Sequence, residues 1–201
     1  YVMLVVIAII SSALEAQLLS DFKNGLYTSE KLAVAAAEAS DDRQAKIGIV
    51  QIIMFLVSGI LSLKWIYRAN FNARGLGAIN MVFTPGWAIG WYFIPIANLW
   101  KPYQAMKEIW RASNNTQNWN TWSAKSVSSL LPWWWFFWLT SGIIGNAAFR
   151  MTLRANEIDE LLTANTVGQM SNISGIFLSL IFIGIMTRIY NMQMSNYNQN
   201  F

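Results

Sequence analysis

The chain of 201 residues is 55% hydrophobic and 12% charged, with a positive mean hydropathy, too apolar a balance for an ordinary soluble domain. Its formal charge of +4 reads as Lys and Arg placed for membrane topology, because no basic stripe with interleaved aromatics points to nucleic acid. Cysteine and histidine are both absent, which excludes disulfides, thiolate or imidazole metal ligation, histidine-ligated haem, and Cys or His catalysis within the chain.

Uncharged runs cover residues 47–63, 75–100, 126–149 and 161–187, with a shorter one over 1–14. About 17 to 25 apolar residues cross a hydrocarbon core of roughly 30 Å, so several of these runs are long enough to span. The first, ending in Glu15, lacks a basic n-region and a clean cleavage site, and reads as a retained helix over residues 1–19 rather than a signal peptide. The Ala-rich stretch "SEKLAVAAAEASDDRQAK" predicts a polar helix outside the membrane, with Glu30 early and Arg43 and Lys46 late. A second span is expected over 47–68, ending in an interfacial anchor of Lys64, Trp65, Tyr67 and Arg68.

Next comes "GWAIGWYFIPIANLWKPYQAMKEIW", residues 86–110, broken by Pro95 and Pro102. Its second half predicts a short interfacial helix with Met106, Ile109 and Trp110 on one face, while Lys107 and Arg111 snorkel. Residues 114–122, "NNTQNWNTW", have loop chemistry. "LPWWWFFWLTSGIIGNAAF" predicts a span starting with Pro132 at its first position and an aromatic belt at one membrane face. "RMTLRANEIDELLTAN" predicts an amphipathic helix in which Arg154 pairs with Glu157. The last span is expected over 173–187, followed by a loosely ordered Asn-rich tail.

Charge arbitrates the crossings. If residues 75–100 enter and leave by one face, Lys64, Arg68, Arg74, Lys101, Lys107, Arg111 and Lys125 share a side with one acid, Glu108. That segregation favours four full spans with both termini cytoplasmic. Pro95 supports a broken element by removing a backbone donor, although transmembrane helices tolerate proline when neighbours satisfy the freed carbonyl. The predicted fold is therefore all-α: one integral membrane domain over residues 1–201, with four full spans, a proline-broken re-entrant or fifth spanning segment, and short interfacial helices.

At "WIYRANFN" and "PGWAIGWYFIPIANLWKP" the chain resembles the bacterial membrane-protein family known as domain of unknown function 4328. The matched residues are Trp65, Arg68 and Asn72 in the first motif, then Pro85, Gly90, Trp91, Pro95, Asn98 and Pro102 in the second, followed by Trp110. The similarity extends more loosely over about residues 28–190. It implies fold and membrane location, and carries no catalytic roles.

Polar groups at membrane depth are costly and therefore informative. Glu15 reads first as a helix-end acid reaching interfacial water, and second as a proton or ion ligand. Asn98 is expected to repair carbonyls freed by Pro95, or to line a cavity with Asn80 and Arg68. Gln51 and Asn146 are expected to bridge helices. Arg68 and Arg74, beside Asn70 and Asn72, read as topology anchors or as holders of lipid phosphate. Trp133, Trp134, Trp135 and Trp138 project all around their helix, so some must face protein or bound lipid. No HExxH, nucleophile elbow or glycine-rich phosphate loop occurs.

The sequence thus predicts a non-catalytic, cofactor-free, multi-span protein of the bacterial inner (cytoplasmic) membrane. It would act as a scaffold or accessory subunit, its partners being lipids and other membrane subunits or copies of itself. The alternatives are a small transporter or channel with residues 84–100 lining a cavity, and a protein that binds or senses anionic lipid. Candidate structural or contact residues are Trp65, Arg68, Asn72, Arg74, Trp91, Pro95, Asn98, Pro102, Trp110, Trp133 and Trp134.

Overall fold

The computed structural model describes residues 2–115, 119 and 127–200, the side chain of Asn200 excepted. Most of the loop expected over 114–122, and Lys125, lie outside them. The described elements are helical: α1 (Val2–Lys23), α2 (Glu30–Gly75), α3 (Pro85–Gly90), 3-10 turns at Trp91–Phe93 and Ala97–Leu99, α4 (Lys101–Asn114), α5 (Leu130–Arg154) and α6 (Ile158–Asn200).

Three expectations are corrected here. The Ala-rich helix and the second span form one 46-residue helix, about 70 Å long at 1.5 Å per residue. Nothing breaks it: no proline or glycine lies between Glu30 and the apolar run, and Ser40, Asp41 and Asp42 are carried within the helix. The amphipathic helix expected over 150–165 is split. Arg154 closes α5 and residues 155–157 form a turn, in which Asn156 Nδ2 donates to Arg154 O at 2.9 Å and Asn156 N donates to Glu160 Oε2 at 2.8 Å. Arg154 and Glu157 form no ion pair; the described pairs are Lys23 with Asp159 and Lys46 with Asp42. The tail is helical, α6 running 43 residues to Asn200.

Helix ends follow local chemistry. Gly25 (φ +67°) ends α1 in a Schellman arrangement, with Leu26 N on Asp21 O at 3.1 Å and Gly25 N on Phe22 O at 3.1 Å. Gly77 (φ +105°) ends α2 in the same way, with Ala78 N on Ala73 O and Gly77 N on Arg74 O. Both glycines occupy the left-handed region that a Cβ penalises. Thr84 caps α3 by accepting from Trp87 N at 3.2 Å, with Pro85 directly behind it. Pro132 is the third residue of α5 rather than the first. It still lies in the first turn, whose N–H groups have no intrahelical partner to lose.

Residues 86–100, the proline-broken stretch, do not form one helix. They fold as the end of α3, two three-residue turns and irregular backbone around Pro95, too short in any piece to span. Among the described residues three helices, α1, α2 and α6, are long and apolar enough to cross a membrane.

The chain forms two compact units: residues 1–58 with 137–177, and residues 59–136 with 178–201. In the first, α5 and α6 meet through small residues. A Cβ on Gly145 would come within 3.0 Å of Ser171 Oγ, and Ser171 Oγ donates to Ser141 O at 3.2 Å. Phe137 and Phe177 stack at 5.3 Å. Close backbone approach through Gly, Ala and Ser, secured by hydroxyl-to-carbonyl bonds, is how helices associate where hydrophobicity cannot discriminate protein from lipid. The second unit holds the larger core, which joins Ile66, Ala69 and Ala73 of α2, Ala88 of α3, Met106, Ile109 and Trp110 of α4, Trp134 of α5, and Ile185 and Ile189 of α6.

Candidate functional site

The second unit carries a densely hydrogen-bonded polar site. α2 ends with Asn70 and Arg74 one turn apart, on the face toward the returning chain at 81–83. Arg74 Nε donates to Asn70 Oδ1 at 3.1 Å, and its Nη2 donates to the carbonyls of Met81 and Phe83, both at 2.9 Å. Asn70 Nδ2 donates to Phe83 O, also at 2.9 Å. From the other side Glu108, on the buried face of α4, accepts from Val82 N at 2.5 Å and Phe83 N at 2.9 Å. Residues 81–83 are therefore gripped on their carbonyls by α2 and on their amides by α4.

A carboxylate on two backbone N–H groups makes charge-assisted bonds stronger than neutral ones. Burial nevertheless pushes the Glu108 carboxyl above the usual glutamate range, and the Phe83 and Val82 amides and the nearby Arg74 guanidinium only partly offset it.

A second polar seam joins α2, α4 and α6. Gln193 Nε2 donates to Ala69 O at 2.8 Å and to Ser113 Oγ at 2.9 Å, while Asn196 Nδ2 donates to Ser113 O at 2.7 Å. Asn72 Nδ2 reaches Gln193 Oε1 at 3.5 Å. These contacts hold helical the segment whose composition suggested a loose tail.

The predicted residues divide by position. Trp110 and Pro102 are buried in the core, as is Trp134, which stacks on Phe182 at 5.9 Å. Trp65 meets the same Phe182 edge-on at 5.8 Å. Trp91 packs against Trp87 at 4.8 Å and receives Lys101 Nζ over its ring at 5.5 Å. Trp133 is exposed beside Phe136, so the tryptophan run serves both core and belt. Arg68 and Pro95 are exposed. Arg74 spends its Nε and Nη2 on Asn70 and on the carbonyls of 81 and 83, a structural role, whereas Arg68 makes no described hydrogen bond.

Asn98 also departs from expectation. Its side-chain Oδ1 is buried without a partner among the described residues, and its backbone N–H, not its amide, bonds Ile94 O at 2.8 Å. The 3-10 turns take up the carbonyls near Pro95 instead: Ile94 N reaches Trp91 O at 3.5 Å. No described hydrogen bond joins Asn98, Asn80 and Arg68. Gln51 and Asn146 likewise make no described hydrogen bond, so neither is seen bridging helices.

Sequence reasoning missed Glu108 as a site. Its signal was its place in the stripe Ala105, Glu108, Ala112, the buried face of α4.

In the first unit Glu15 is not left to water. Its Oε2 accepts from Asn165 Nδ2 of α6 at 2.7 Å and Gln44 Nε2 of α2 at 2.9 Å. The same amides also reach Ser12 O and Ser11 O, and Arg43 Nε donates to Ser11 Oγ at 3.1 Å. Glu15, Gln44 and Asn165 each stand close to an end of their helix's most apolar stretch, so the knot ties three helices at one depth.

The fold and these sites define a helical protein with, among the described residues, three helices of membrane-crossing length and apolarity and a braced segment of short helices between α2 and α5. The chain belongs to the family described as Domain of unknown function (DUF4328), whose profile matches residues 28–191. No curated protein and no solved structure matches the chain.

Proposed function

We propose that the chain is a non-catalytic multi-span protein of the bacterial inner (cytoplasmic) membrane. It acts as a scaffold or accessory subunit that packs against lipids and against other membrane subunits or copies of itself. The observation that carries this reading is the membrane-length window of α2, of which 0% is buried within the chain. Ile49, Ile52, Ile53, Phe55, Leu56 and Ile60 of that helix are all exposed. A helix this apolar, none of whose window is fully buried among the described residues, is built to be covered further by lipid or by other subunits. The polar groups of the described sites are meanwhile spent on bracing backbone and tying helices.

The accompanying topology has four spans: α1, the apolar part of α2, α5, and the apolar part of α6. α5 is 25 residues long, about 37 Å. Its tryptophans lower its hydropathy but suit a membrane boundary. Residues 84–100 form a re-entrant hairpin that leads into α4. Glu108 touches Val82 and Phe83, so the chain returns to where it left, whereas a crossing would separate those residues by roughly 30 Å. Within the second unit, seven described basic residues (Lys64, Arg68, Arg74, Lys101, Lys107, Arg111 and Arg188) stand against one acid, Glu108. This bias favours a cytoplasmic side for that unit and for both termini.

The transporter reading gains nothing from the two described clefts. They are lined by residues of α1 and α2 and by residues 151–163, none of them from 84–100.

Native mass spectrometry after mild extraction tests the scaffold reading. A stoichiometric partner, a second copy or retained lipid is expected, and a bare monomer would overturn it.

A further inference from the structure

The hairpin has an outward side that the described residues leave exposed. Trp87, Phe93, Ile94, Ile96, Leu99 and Trp100 are exposed, Ile96 at 72%, while Ala88 of the same segment is fully buried against the core. The segment is therefore held by one side and presents large apolar and indole groups on the other. Its brace makes that presentation rigid, because Phe83 at its start is fixed to Arg74, Asn70 and Glu108.

The core against which it packs includes Trp65 and Ile66, just past the uncharged run of α2, and Phe182, inside that of α6. The hairpin thus lies at the edge of the apolar zone, within reach of one leaflet only. Lys64 and Arg68 follow the α2 run directly, lie one turn apart, are exposed, and have no hydrogen-bond or ion-pair partner among the described residues.

The geometry points to one leaflet of anionic lipid as the occupant of this surface. Residues 87–100 insert among headgroups and upper acyl chains while Lys64 and Arg68 engage lipid phosphate. The argument for lipid over a protein partner is charge complementarity. An exposed apolar segment, in a unit with seven described basic residues and one acid and with Lys64 and Arg68 unpaired among the described residues, matches a negative leaflet. Arg74 is set apart from them, since its Nε and Nη2 are bonded within the brace. This inference rests on the re-entrant reading and adds to it the lipid class and the depth.

The chain has no cysteine, so an Ile96→Cys variant carries a single environment-sensitive fluorophore. It is reconstituted in phosphatidylcholine vesicles with and without phosphatidylglycerol, beside a Gln104→Cys reference; Phe93→Cys repeats the measurement at a second exposed position. The expected result is protection of the Ile96 probe from aqueous iodide and stronger quenching by shallow than by deep spin-labelled lipid. Lys64→Gln and Arg68→Gln should each lower phosphatidylglycerol enrichment in the co-purified lipid by about fivefold.

Iodide quenching equal to that at Gln104 would overturn insertion. Protection from iodide without quenching by any lipid would show a protein cover instead, and also overturns it. Enrichment unchanged in both charge variants would refute the anionic preference. Failure of the re-entrant reading itself looks different: strongest quenching then comes from the deepest label.

Discussion

Replacing Glu108 with alanine removes the acceptor for two backbone amides at once, and the two sites should respond unequally. Phe83 is buried, so its N–H loses a charge-assisted bond with no water to replace it, a cost of about 2–3 kcal/mol. Val82 is 78% exposed, and water can re-satisfy its N–H at a cost nearer 1 kcal/mol. Hydrogen exchange at individual amides in lipid nanodiscs reads both. Exchange at Phe83 should accelerate by about 30- to 150-fold and at Val82 by about fivefold, if local opening governs exchange. Glu108→Gln should fall between wild type and alanine, because its NH2 group must face one of the two donors. Unchanged protection at Phe83 in the alanine variant would refute the role given to Glu108.

The same residue sets a pH dependence. Burial raises its folded-state pKa above the usual range, so the folded chain holds this proton to higher pH than the unfolded chain does. The contribution is fully present below the ordinary glutamate value and is lost as pH rises through the window up to the folded value. Glu108→Gln should flatten that slope in thermal unfolding of the detergent-solubilised protein, and a persistent slope would assign it to another group. At Glu15, alanine should strand the Gln44 and Asn165 amides and cost about 1–3 kcal/mol, whereas glutamine keeps a carbonyl acceptor and should cost less. Equal melting shifts for the two variants would contradict that knot. Gln193→Leu should free Ala69 O and Ser113 Oγ and loosen the end of α6; proteolysis after residue 190 no faster than in wild type would argue against the seam.

Much of this was legible in the sequence. Uncharged runs located the apolar helices, and the tryptophan run announced both a core role and a belt role because indoles at 133, 134, 135 and 138 cannot all face one way. Pro95 and Pro102 foretold a broken segment. What stayed hidden depended on partners distant in sequence. Asn-rich composition suggested a loose tail, yet Gln193 and Asn196 find Ser113 about 80 residues away. Arg74 looked like a second Arg68 until the chain folded back and offered it the carbonyls of residues 81 and 83. Glu108 looked like one acid among cations, although its place on the apolar stripe of α4 was readable. The continuity of α2 was also readable, because nothing between Glu30 and Ile47 stops a helix.

The proposed topology requires the hairpin to enter and leave by one face. Single cysteines at Gly75 and Gln104, exposed positions that bracket it, can be labelled with a membrane-impermeant maleimide in right-side-out and inverted vesicles, with Lys31→Cys as the reference across the α2 span. Labelling of positions 75 and 104 from the same side, opposite to position 31, is the predicted result. Labelling of 75 and 104 from opposite sides would show that the segment crosses the membrane and would contradict the account.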